Sequence, residues 1–78
     1  MASLKDLDAL FESLGKLAEK ARQDALADAA SASSSIKQTG APSQAALEAF
    51  MKSLRTYTSV IDAATATQKK LNQLNEEQ

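Results

Sequence analysis

The chain has no cysteine, no histidine and no tryptophan, and one proline and two glycines are its only strong punctuation in 78 residues. Without cysteine no disulfide can form, and without cysteine and histidine the ligands most used by zinc and other transition-metal sites are missing. The same absences remove the usual general base near neutral pH and the most reactive nucleophile, leaving Ser, Thr, Lys and carboxylates for any chemistry. No phosphate loop, dinucleotide fingerprint, metal-ligand spacing or nucleophile elbow occurs. Two glycines a whole helix apart, at positions 15 and 40, cannot build a glycine-rich cradle. The expectation is a protein that is not an enzyme and has no cofactor, no metal and no small-molecule substrate.

Charge of one sign is also lacking. Nine Lys and Arg stand against ten Asp and Glu, for a net charge of -1, and both signs are scattered along the chain. No basic stripe marks a nucleic-acid partner. No segment approaches the ~20 apolar residues of a membrane span. The start, MASLKDLDALF, carries acidic residues too early for a cleavable signal peptide. If the protein leaves the cytoplasm, to be secreted or held at the cell surface, it uses a route that reads no such signal. Small size sharpens the question of stability, because below roughly 80 residues one core rarely supplies more than a few kcal/mol without disulfides, a metal or oligomerisation. Of these aids, only association with other chains is left.

What is present is helical periodicity. In the first arm Leu4, Leu7, Phe11 and Leu14 alternate three and four apart, and the register continues through Ala18, Ala21 and Ala25. Leu10 and Leu17 widen the apolar stripe beyond a two-helix seam. Ser3 followed by Asp6 reads as a variant capping box that starts a helix near Leu4. Gly15, inside this pattern, either lets a neighbouring backbone approach or is simply tolerated. The stretch DALADAASASSS, residues 24–35, has little apolar bulk apart from Leu26. It reads as a loose helix end that frays in the monomer or as a thin surface for close packing, and its serine cluster favours the former.

Thr39, Gly40, Ala41, Pro42 and Ser43 form the hairpin turn. Gly40 can close the first helix in the left-handed conformation, Pro42 cannot continue it, and Ser43 can cap the second. The expected architecture is all-α, a two-helix antiparallel, coiled-coil-like hairpin in one domain spanning 1–78, with helix 4–37, turn 38–43 and helix 44–74. In the second arm Leu47, Phe50, Leu54, Tyr57, Ile61 and Ala64 keep the alternating spacing, and Leu71 resumes it. Leu7, Phe11, Leu14, Leu47, Phe50, Leu54, Tyr57 and Ile61 are the expected core. Met51 and Thr58 flank the seam. Glu48 and Lys52 are placed for an i,i+4 ion pair, while Glu76 and Glu77 oppose the helix dipole and predict a frayed last turn. Lys69 and Lys70, the one adjacent basic pair, suit terminal carbonyls, solvent or an interface.

Pro42, Ser43, Leu47, Phe50, Leu54, Tyr57, Ala63, Thr67, Lys69 and Leu71 together resemble the second helix of needle subunits of bacterial type III secretion systems. The resemblance covers the stretch from the turn to Leu71. It implies a structural protein of which many copies stack helically into a hollow filament for protein export, the second arm approaching the channel with Lys69 on its wet surface. The turn Gly40-Ala41-Pro42-Ser43-Gln44 departs from the family's two prolines, and the polar end LNQLNEEQ departs from its apolar C-terminus. Length, glycine-containing turn and polar end are similar to the small cytoplasmic co-chaperones that hold needle subunits before export. That is the alternative, and an unrelated coiled-coil adaptor is a third. In every case the partners are further copies of the chain or other small helical proteins. The expected interface residues are Leu10, Leu17, Leu47, Phe50, Met51, Leu54, Tyr57, Ile61, Lys69 and Leu71.

Overall fold

A computed structural model describes residues 3–77. Two helices, α1 (Leu4–Thr39) and α2 (Gln44–Glu77), fold back on each other as an antiparallel hairpin, with no strand among the described residues. The chain is an all-α helical hairpin, 59 Å long and 17 × 14 Å across.

The ends of the helices follow from local chemistry. Asp6 N–H donates to Ser3 Oγ at 3.2 Å and Ser3 N–H donates to Asp6 Oδ2 at 3.3 Å, a reciprocal cap for two otherwise unpaired donors. At the other end of α1, Gly40 takes φ 82° and its N–H donates to Ile36 O at 2.7 Å. Thr39 Oγ1 lies 2.8 Å from Ser35 O and 2.7 Å from Ala41 O, tying the last turn to the loop. Ser43 caps α2 by accepting from Ala46 N–H at 3.1 Å.

Two expectations about helix extent are corrected. Residues 24–35 are not a frayed end: α1 runs through them to Thr39, and Ala25 and Ala32 are among its buried residues. Alanine has the best helix propensity, and its small side chain lets the arms lie close where leucines would hold them apart. Likewise α2 continues to Glu77, three residues beyond the expected end, despite the unfavourable charge of Glu76 and Glu77. Buried Leu71 and half-buried Leu74 anchor that end against α1.

The seam of α1 is the expected one: Leu4, Leu7, Phe11, Leu14 and Ala18 are partly covered, and Ala21 and Ala25 are buried. It then continues through half-buried Asp28, buried Ala32 and half-buried Ser35. In α2 the expected core holds at Phe50 and Tyr57 and fails at Leu47, Leu54 and Ile61. Phe50, Tyr57, Ala64 and Leu71 face inward, but their seam partners are Ala46, Ser53, Val60, Thr67 and Leu74, whereas Leu47, Leu54 and Ile61 are exposed. Both residue sets keep alternating spacing with the shared positions, on opposite sides of them, so periodicity alone fits either. Asp28 decides the rotation. A carboxylate in a helix seam needs a hydrogen-bond donor, and the Ser53 hydroxyl supplies one across the interface, to Asp28 Oδ2. Bringing Ser53 inward carries Leu54, one residue on, away from α1. Thr67, buried in the same seam, satisfies its hydroxyl by donating to Ala63 O at 2.9 Å.

Candidate interaction surface

This rotation makes the surface of the hairpin. The inward face of α1 is filled from Ala18 onward by small residues, and no large side chain is fully buried among the described residues. The bulky apolar groups left outside are Leu10, Leu17, Leu26, Ile36, Leu47, Met51, Leu54 and Ile61, each between 38% and 55% exposed. Scattered exposed leucines need no explanation, but contiguous ones do. Those of α2 are contiguous, because Leu47, Met51, Leu54 and Ile61 recur four, three and seven residues apart on one flank.

The two flanks of the hairpin differ in chemistry. One carries a shallow groove lined by Arg22, Ala25, Leu26 and Ala29 of α1 and by Phe50, Leu54 and Tyr57 of α2. Its walls are apolar, and Arg22 at one end pairs with Glu19 at 3.3 Å. The other flank is polar, lined by Asp24, Asp28, Lys52, Ser53 and Thr56 together with Ala21, Ala27 and Ala49. Leu10 and Leu17 stand seven residues apart in line with Asp24, on this second flank but nearer the chain ends.

The expected interface residues divide accordingly. Leu10, Leu17, Leu47, Met51, Leu54 and Ile61 are exposed and available. Phe50 and Tyr57 are half-buried, packed in the seam with part of each ring left in the groove wall. Leu71, only 8% exposed, belongs to the internal seam and is withdrawn from the surface. Lys69 and Lys70 are exposed on the last turns of α2. The Glu48–Lys52 pair does not form; Glu48 accepts instead from Gln44 Nε2 at 3.3 Å, and the one ion pair among the described residues is Arg22–Glu19. Gly15 is not a site of close backbone approach, since a Cβ placed there would meet nothing within 4 Å. Leu26 and Ile36 were not assigned to the surface from sequence; Leu26 stood out as the one bulky residue in an Ala/Ser stretch, and that was its signal.

Among the described residues no three acidic side chains cluster as a metal site, and no helix is long and apolar enough to cross a membrane. What the fold and surface define is a helical hairpin with an apolar flank left uncovered by its own chain. Compared with known proteins, the chain matches no family model, no curated protein and no solved structure.

Proposed function

We propose that this chain is a structural, non-enzymatic subunit that self-assembles through its exposed apolar flank into a filament of the type III secretion needle kind. The observation that carries this reading is the outward face of Leu47, Met51, Leu54 and Ile61 beside a groove floored by alanines. A rod with this much apolar surface gains from covering it, and a hairpin with an alanine-rich seam has little internal core to fall back on. The resemblance from Pro42 to Leu71 supplies the needle assignment; the exposed flank supplies the means of assembly. Lys69 and the polar last turns of α2 then act as wet surface rather than as chemistry.

The polar run from Asn72 to Glu77, exposed apart from Leu74, favours a second reading, a co-chaperone that lays the same flank over the helix of another small secretion protein. Purified chain examined at rising concentration by light scattering and negative-stain microscopy separates the two. Uniform long filaments support the needle subunit. A small species of fixed size that captures a second hairpin protein supports the co-chaperone, and a stable monomer at every concentration refutes both.

A further inference from the structure

Exposed charge is distributed unevenly between the two ends of the hairpin. The Asp28–Ser53 pair sets residue 20 level with residue 61, and the turn half so bounded, residues 20–61, carries Lys20, Arg22, Lys37, Lys52 and Arg55 against Asp24, Asp28 and Glu48, a net +2. The remaining residues, which form the end where α1 begins and α2 ends, carry four cations and seven anions, a net -3. All of these charged side chains are exposed except half-buried Asp28. The apolar surface is divided in the same way. The groove with Leu26 and Leu54, and exposed Leu47 and Ile61 in line with Leu54, belong to the turn half on one flank, whereas Leu10 and Leu17 form a ridge in the other half on the opposite flank.

From these two asymmetries we infer that a second copy of this chain is the occupant of the groove, and that it docks by its Leu10 and Leu17 ridge, turn half against terminal half. The inference rests on the self-assembly reading and specifies its contact. Three observations select it. Leu10 and Leu17 are seven residues apart, as are Leu47, Leu54 and Ile61, so the knobs of one copy match the spacing of the walls of the next. Charge opposes a like-with-like alternative, because groove-to-groove pairing sets the two positive halves together, while the staggered contact sets positive against negative. Exposed ion pairs contribute little energy each, so charge here selects orientation and the leucines supply attraction. Area is sufficient as well. The hairpin exposes 5881 Å², against about 4,600 Å² for a compact monomer of its mass, and that difference is comparable with a standard specific interface. Because groove and ridge are different surfaces on opposite flanks, the contact is heterologous and leaves a free groove at one end and a free ridge at the other. Repetition of it propagates.

The test uses complementary dead ends in the full chain, read by sedimentation velocity. Leu54→Asp blocks the groove and Leu17→Asp blocks the ridge, and both positions are exposed, so the hairpin is retained. Circular dichroism checks this, and Leu54→Gln or Leu17→Gln replaces any variant that loses helix. The expected result is that the unaltered chain forms progressively larger species with concentration. Each variant alone shifts the onset of association at least about tenfold upward, and an equimolar mixture of the two yields a two-chain species that grows no further. If the unaltered chain associates but Leu17→Asp does so equally well, or if the mixture stays monomeric, the contact is wrong while self-assembly stands. If the unaltered chain never associates, self-assembly itself is overturned and the contact with it.

Discussion

Gly15 and Gly40, the two glycines of the chain, give opposite expectations because their backbones differ. Gly15 sits in the interior of α1 with open space where a side chain would go, so Gly15→Ala removes unfolded-state freedom without a clash and stabilises the hairpin by about 0.5–1 kcal/mol. Gly40 sits at φ 82°, where a Cβ costs roughly 1–2 kcal/mol, so Gly40→Ala lowers stability by about that amount. Thermal unfolding followed at 222 nm reads both, and for a domain of this size 1 kcal/mol moves Tm by about 4–8 °C. A fall in Tm for Gly15→Ala would mean that the position is covered in an assembly. The leucines of α2 divide by the same logic. Leu71 is buried and Leu54 is 41% exposed, so in dilute solution Leu71→Ala costs about 2–3 kcal/mol and Leu54→Ala stays near half a kcal/mol. Equal losses in a denaturant titration would contradict the rotation of α2.

At the scale of the helices, the position most dependent on its partner is Asp28, whose carboxylate accepts from Ser53 across the seam. Removing the hydroxyl leaves that carboxylate half-buried with no donor, so Ser53→Ala costs about 1 kcal/mol, and Ser53→Ala in an Asp28→Ala background costs clearly less. A double-mutant cycle on unfolding free energy returns a coupling of about 0.5–1.5 kcal/mol; additivity within error would mean that the pair does not fix the register. This pair also explains which parts of the fold were legible in sequence. The seam of α1, the capping box at Ser3 and Asp6, the left-handed Gly40 and the Ser43 cap are local, and spacing and residue type reveal them. The face of α2 is not local. Phe50 and Tyr57 are flanked by Leu47 and Leu54 on one side and Ala46 and Ser53 on the other, and hydrophobicity favours the leucines. What overrules it is a carboxylate in the opposite helix, 25 residues away, together with α1 alanines that call for small partners. The leucines assigned to the core are the ones left outside, where they join the expected interface, and of the exposed bulky apolar residues only Leu26 and Ile36 were missing from it.

For the molecule as a whole, shape is the quantity that connects these details to behaviour. The radius of gyration is 17.3 Å, against about 11.5 Å for a compact domain of this length, so most side chains have a neighbour on one flank and solvent on the other. A rod with an alanine seam and an exposed leucine flank should gain a large part of its stability from its neighbours, and mass action then ties folding to concentration. The expected outcome is a Tm that rises with protein concentration over the range in which association occurs. Replacing Leu47 and Leu54 together by serine should flatten that rise while lowering Tm in the dilute limit only by the few degrees that about 1 kcal/mol brings, because both side chains lie beside the internal seam and stay 42% and 41% exposed. Calorimetry or circular dichroism across a hundredfold range of concentration makes the comparison, with Leu71→Ala as the contrasting case, lower in Tm at every concentration. Were the unaltered chain to melt at one temperature throughout, its exposed flank would be contributing nothing to stability through association. Were the double serine variant to melt as far below the unaltered chain in dilute solution as Leu71→Ala does, Leu47 and Leu54 would belong to the core after all.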